Sequence, residues 1–126
     1  MTQPIPVFCG AAPVFVVRDV AASVQHYCAV LGFRSVFTYG EPVFYGGVRR
    51  DDVTIHFQAA RVTTRMPGQG AVNVFVTEVD TLYATLTANG ARVLNAPADR
   101  SYGMRDFDVD DPDGNRLTFG MGIVAS

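Results

Sequence analysis

Apolar residues in this chain recur with two periods, and the points where one gives way to the other mark out its elements. Val14-Phe15-Val16-Val17 is an unbroken apolar run of strand length. Asp19 follows in the position of a helix N-cap, Val20, Val24, Tyr27 and Leu31 fall at helical spacing, and Gly32 offers a left-handed stop. Three further runs with strand character cover residues 33–39, 43–48 and 52–58, divided by Gly40-Glu41-Pro42 and by Arg49-Arg50. The first half therefore predicts the order βαβββ.

The plan returns after residue 70. Val72, Val74 and Val76 alternate, then Val79, Leu82, Tyr83 and Leu86 take up helical spacing before Asn89-Gly90. Val17-Arg18-Asp19-Val20 corresponds to Val76-Thr77-Glu78-Val79, 59 positions further on, which is the signature of an internal repeat. Short strands are expected over 91–94, 104–109 and 115–121, with Asp111-Pro112-Asp113-Gly114 supplying a tight hairpin between the last two. We read residues 1–126 as one domain: a first module over about 12–59, a second over about 71–121, and a loosely held connection over 60–70 containing Pro67, Gly68 and Gly70.

Because successive strand side chains point to opposite faces, the alternation also sorts residues by environment. Val53, Ile55 and Phe57 share one face and Thr54, His56 and Gln58 the other. In the second half Val72, Val74 and Val76 oppose Asn73 and Phe75; Phe107 and Val109 oppose Asp106 and Asp108; Leu117, Phe119 and Met121 oppose Arg116 and Thr118. The polar face either meets solvent, as in many antiparallel sheets, or lines a cavity, and periodicity does not choose between the two.

Composition narrows the classes of function. Hydrophobic residues make up 48% and charged residues 17%, far from the signature of disorder. A net charge of -2 gives no basic field for nucleic acid. The apolar stretches are too short for a membrane helix, and Met1-Thr2-Gln3-Pro4-Ile5-Pro6 lacks the basic start of a secretory leader, so a cytoplasmic protein is expected. Cys9 and Cys28 form no metal-binding or redox pair and are read as reduced thiols, with Cys28 a small buried residue beside Tyr27. No Ser-His-Asp arrangement, phosphate-binding glycine loop or paired-carboxylate motif is legible.

The segment Tyr102-Gly103-Met104-Arg105-Asp106-Phe107-Asp108-Val109-Asp110-Asp111-Pro112-Asp113-Gly114-Asn115 resembles the penultimate hairpin of the glyoxalase/bleomycin-resistance/dioxygenase (vicinal oxygen chelate) superfamily. Val16-Val17-Arg18-Asp19-Val20, with Ser23, Tyr27 and Leu31-Gly32-Phe33, is similar to that superfamily's opening strand and helix, and Val76-Thr77-Glu78-Val79-Asp80 to the second-module counterpart. The resemblance implies an α+β fold in which two βαβββ modules, with curved mixed sheets, form a half-barrel cavity and carry their helices on the convex face. It also implies a homodimer with a site built from both modules. The polar-face residues would line that site, with Phe37, Tyr39, Phe44 or Tyr45 as stacking walls.

Metal-dependent members of the superfamily carry His, Glu or Gln at the starts of the first and fifth strands and within the fourth and last. Those places hold Ala12, His56, Ala71 and Thr118 here. One imidazole, one hydroxyl and two methyl groups fall short of the three protein ligands of a catalytic zinc site, so no metal or other cofactor is expected.

The candidate ligand-binding set is Thr54, His56, Gln58, Asn73, Phe75, Asp106, Arg116, Thr118, Phe37, Tyr39, Phe44 and Tyr102, with His56 the one candidate for catalysis. Arg116 and Asp106 are read as a pair across neighbouring strands or as a charged clamp, Asp111 and Asp113 as turn residues, Tyr102 as a pocket cover or loop anchor, and His26 as a solvated helix residue. The resemblance lies nearest the bleomycin-resistance branch and implies a binding protein that sequesters a small organic ligand, such as an antibiotic. The alternatives are a metal-dependent lyase, isomerase or dioxygenase of the same fold, and a metal-free acid/base enzyme using His56 with Asp106 or Arg116.

Overall fold

Asp19 begins the first helix as its position implies: its backbone is extended (φ -137°, ψ 106°) and its side chain accepts the Ala22 amide at 3.0 Å. Such a cap stabilises a helix by about 1 kcal/mol. In this computed structural model, which describes residues 3–123, helix α1 covers Val20–Ala29 and buries Val20, Val24 and Tyr27. Gly32, two residues past the Val30 C-cap, turns the chain out with φ +76°. Met1 and Thr2, part of the opening segment read above for a leader, lie outside the described residues, as do residues 124–126.

Around α1 the first module places β1 (Val14–Val17), β2 (Arg34–Tyr39), β3 (Tyr45–Arg50) and β4 (Val53–Ala59). The sheet order is β1-β4-β3-β2, with β1 parallel to β4 and the remaining pairs antiparallel. The β3–β4 turn falls at Asp51-Asp52 rather than at Arg49-Arg50. Both arginines belong to the strand, where Arg49 reaches Thr54 and Asp52 and Arg50 donates to the Leu31 carbonyl, and Asp51 takes the left-handed turn position with φ 50°.

The second module repeats the order with β5 (Ala71–Phe75), α2 (Val79–Ala88), β6 (Arg92–Val93), β7 (Ala98–Asp99), β8 (Met104–Asp110) and β9 (Arg116–Gly122). Its sheet runs β5-β9-β8-β6, with β5 parallel to β9, and β7 is a further two-residue strand against β8 that the periodicity does not reveal. Two residues are too few for alternation to register. The helix repeats without its cap: Glu78, the counterpart of Asp19, sits left-handed at φ 51° with no side-chain cap bond.

One apolar interior serves both modules, running from Phe15, Tyr27, Ile55 and Phe57 to Val79, Leu86, Phe107 and Leu117. The sheets stay separate and do not close on each other. The connection is held tightly: residues Ala60–Val62 form a 3-10 turn, the Gly68 amide donates to the Val16 carbonyl at 3.2 Å, and the Gly70 amide to Asn115 Oδ1 at 2.9 Å. A Cβ at Gly68 would come 2.0 Å from the Asp113 carbonyl oxygen, so only glycine lets the connection pass the hairpin. The hairpin does more than turn. Asp111 is fully buried and accepts the Asp113 and Asn115 amides, while Asp113 binds the Arg18 guanidinium of the first module at 3.0 Å.

Candidate functional site

Adjacent glycines in β3 show how the first sheet is divided. Gly46 faces the helix, where its Cβ position lies 3.1 Å from Val20 Cγ1, and Gly47 faces the other way, toward Phe37 and His56. On β4, Ile55 and Phe57 are buried beneath α1, and His56 is half-buried on the face turned away from the helix, opposite Val14 of β1 and Gly47 of β3. Gly47 in turn lies opposite Phe37 of β2.

The missing side chain at Gly47 is what gathers the aromatic residues. A Cβ there would meet Phe37 Cε1 at 2.5 Å; without it the Phe37 ring lies edge-on to His56 at 5.3 Å and stacks on Tyr45 at 6.0 Å. The Tyr45 hydroxyl and His56 Nδ1 share a hydrogen bond of 3.0 Å, which leaves Nε2 as the free polar atom of the ring. Tyr39 is exposed nearby, with Thr54 and Gln58 half-buried to either side of His56 along β4. Phe44 does not belong to this wall. Next to Tyr45 in the chain, it falls on the opposite side and packs against the apolar interior, its ring edge-on to Tyr39.

The second sheet carries a cavity of about 650 Å³ on its concave face. Asn73 and Phe75 from β5, Asp106 and Asp108 from β8, Thr118 from β9 and Tyr102 from the β7–β8 turn all line it, and Phe75 is 76% exposed. That volume lies in the usual range for sites holding drug-sized ligands. Thus Asn73, Phe75, Asp106, Thr118 and Tyr102 are brought together, while Thr54, His56, Gln58, Phe37 and Tyr39 form a separate patch on the other sheet.

The expected pairing of Arg116 with Asp106 does not occur. Arg116 sits directly opposite Asp110 in the β8–β9 ladder and binds it at 3.0 Å, outside the cavity lining. Asp106 is instead held by Arg100 Nε at 2.8 Å and by the Tyr102 hydroxyl, which donates at 2.5 Å, so Tyr102 both anchors its turn and flanks the cavity. The Tyr102 bond holds its hydroxyl pKa above the ordinary value, and the separate Arg100 bond, with the attraction of Asp106, raises that of Arg100. Asp108 is bound by neutral groups: Thr118 donates to Oδ1 and Asn95 Nδ2 to Oδ2 at 2.9 Å. Partial burial raises its pKa, but those bonds, with the more distant Arg116 and Arg100, bring the balance below the usual carboxylate value.

Asn95 and Arg100 join the site beyond the residues singled out from the sequence, and Asp108, placed on the polar face by alternation but left out of the candidate set, lines it too. The first two come from the irregular segment around β6 and β7, where no periodicity points to them. Asp108 shares the face of Asp106 by alternation, a signal already present in the chain.

A divalent metal ion needs several convergent donors. Thr118 stands opposite Asn73, His56 stands among Val14, Gly47 and Phe37, and no group of three or more His, Cys, Asp and Glu able to hold a metal ion occurs among the described residues. The donor set does not fit a divalent ion. His26 is not solvated as expected. It is half-buried, its Nε2 has no hydrogen-bond partner among the described residues, and burial lowers its pKa against the opposing pull of Asp111. Cys9 and Cys28 are free thiols, Cys9 exposed and Cys28 packed against the apolar interior. No helix among the described residues is long and apolar enough to cross a membrane.

Paired βαβββ modules with apolar faces turned to the helices and polar concave faces define the class of fold to which this protein belongs. The chain is a member of the Glyoxalase/Bleomycin resistance protein/Dioxygenase superfamily, whose family model matches residues 11–119. It is similar to the bleomycin-binding protein of bleomycin-producing Streptomyces verticillus, in a structure complexed with copper(II)-bleomycin, with 26% identity, 94% of this chain and 99% of that one covered, and a TM-score of 0.78. A bleomycin-binding protein complexed with bleomycin matches with 20% identity over 91% of this chain and 99% of that one, at a TM-score of 0.76. A glyoxalase/bleomycin resistance protein/dioxygenase from Nocardioides matches at 21% identity, covering 99% of this chain and 89% of that one, at a TM-score of 0.74. No curated protein matches the chain significantly.

Proposed function

We propose that this protein binds a small organic molecule non-covalently on its concave face, without a metal ion, and acts by sequestering it. The observation that carries this reading is the cavity of about 650 Å³, which joins an exposed Phe75 to a few fixed polar groups in a donor set unsuited to a metal. An apolar wall with sparse, oriented polar groups is the usual make-up of a ligand site. The bleomycin complexes of the Streptomyces verticillus protein and of the second bleomycin-binding protein support an antibiotic as one ligand class. The protein acts in the cytoplasm as a homodimer, in which the Phe37, Tyr45 and His56 patch of one copy supplies a wall for the cavity of the other. The exposure of Tyr39 and, in part, of Phe37 supports that arrangement.

A thermal-shift panel on EDTA-treated protein tests the reading, with bleomycin-type glycopeptides beside neutral, cationic and anionic aromatic compounds. A ligand at one hundred times its Kd adds about 2.7 kcal/mol of stability and a corresponding rise in Tm. A panel in which no compound stabilises the protein, or in which stabilisation appears only after loading with nickel, zinc, manganese or iron, would overturn it.

A further inference from the structure

Three aspartates share the concave side of β8, and only the outer two are paired with arginine. Asp106 has Arg100 at 2.8 Å and Asp110 has Arg116 at 3.0 Å. Asp108, between them, has only the Thr118 hydroxyl and the Asn95 amide. Arg105, the adjacent arginine on β8, is committed to Asp80 and Asp99. The local arginines are thus bound to other carboxylates, so that among the described residues none is in direct contact with Asp108, and that carboxylate lines the cavity.

Its surroundings specify what meets it. Asn95 and Thr118 each use one lone pair of the carboxylate and fix its plane, while each oxygen retains a second acceptor position. Asn95 is itself held, its Oδ1 accepting the Asp108 amide at 3.0 Å, so the carboxylate is oriented before any ligand arrives. Phe75, 76% exposed, lines the same cavity and presents the kind of aromatic face to which cations are drawn. With Asp106, Asp108 and Arg100 the charged residues of the lining, the cavity carries a net negative charge.

We infer that the cavity selects organic cations, an aromatic or apolar body bearing a protonated amine or amidine, and that Asp108 is the residue that sets this selectivity. The inference rests on the small-molecule-binding reading above and names its ligand class. Asp106 acts as a positioning residue: by holding Arg100 it keeps that guanidinium from neutralising Asp108.

The test is a calorimetric titration with three probes of one ring system: 9-aminoacridine, a cation at neutral pH, uncharged acridine, and acridine-9-carboxylate. The wild-type protein is expected to bind the cation at least about tenfold more tightly than the other two, a margin equal to about 1.4 kcal/mol. Added salt should narrow that margin. In Asp108→Asn the preference is expected to collapse, in Asp108→Glu to persist, and in Asp106→Asn, which frees Arg100, to weaken. Circular dichroism and Tm establish that each variant is folded, and the wild-type salt titration stands if one is not. Equal or tighter binding of acridine or its carboxylate would overturn cation selection while leaving small-molecule binding intact. A cation preference that survives in folded Asp108→Asn would overturn the role of Asp108. Failure of all three probes to bind would overturn the inference, whereas the broader reading is decided by the thermal-shift panel.

Discussion

The Tyr27 hydroxyl donates a 2.9 Å hydrogen bond to Asp111 Oδ2, joining the first module's helix to the second module's hairpin across 84 residues of sequence. Both residues are fully buried, and Asn115 completes the arrangement by donating from Nδ2 to the same carboxylate oxygen and to the Val16 carbonyl, both at 3.2 Å. Burial, reinforced by the neighbouring Asp111 charge, holds the Tyr27 phenol far above its ordinary pKa, so it remains a donor at any pH the fold survives. Since the sheets are not joined by a shared ladder, this network and the apolar interior fix the modules relative to one another.

Replacing Tyr27 by Phe removes that donor from a buried carboxylate, and the expected loss is about 1–3 kcal/mol of unfolding free energy. Urea denaturation measures it. A loss below about 0.5 kcal/mol, the range of surface substitutions, would contradict the role assigned to the bond.

His26 supplies a pH dependence to the same region. Its folded pKa lies below the ordinary value of 6.5, chiefly because burial disfavours the imidazolium. The unfolded chain therefore takes up a proton more readily, and the contribution of neutral His26, complete above pH 6.5, diminishes as pH falls through that value toward the folded pKa. Proton NMR should place the His26 midpoint below 6.5, and His26→Phe should flatten this part of the stability profile. A midpoint above 6.5 would contradict the account.

Much of this fold was legible because long elements carry a period. The two helices and the major strands follow from apolar spacing, and the Val17-Arg18-Asp19-Val20 repeat disclosed the module plan. Legibility ended where tertiary contact overrode the local signal. Asp111 reads as a turn residue and is also a buried junction, since nothing local to it indicates that Tyr27 lies above. Phe44 reads as a wall because the sequence places it within the third strand, whereas β3 begins only at Tyr45 and the alternation of that strand does not reach it. Arg116 pairs with Asp110 rather than Asp106 because the ladder register, invisible in one strand alone, sets them opposite.

The aromatic patch depends on Gly47. In Gly47→Ala the new methyl group would displace Phe37 from above the strand, at a cost of about 1–3 kcal/mol typical of overpacking. The NMR signals of the His56 ring report the change directly, because they lie in the ring current of the edge-on Phe37. Unchanged His56 signals in the variant would show that Phe37 does not rest there.

Thr118 is expected to hold Asp108 in its ionised form. Its hydrogen bond is among those that bring the Asp108 pKa below 3.8, so Thr118→Val should move the carboxyl midpoint upward in a carbon-detected NMR titration. By the same linkage, the contribution of ionised Asp108 to stability is present above pH 3.8 and lost as pH falls through its folded value. In the variant that contribution is smaller and its loss is complete at higher pH, and a midpoint that does not move would remove Thr118 from the site's electrostatics.

The most direct test of a metal-free ligand site on the second sheet is amide chemical-shift mapping of EDTA-treated protein with the most stabilising compound of the panel. The account predicts saturable shifts at Asn73, Phe75, Asn95, Tyr102, Asp108 and Thr118, unchanged by added divalent metal. Shifts confined to other surfaces, or appearing only once metal is supplied, would contradict it.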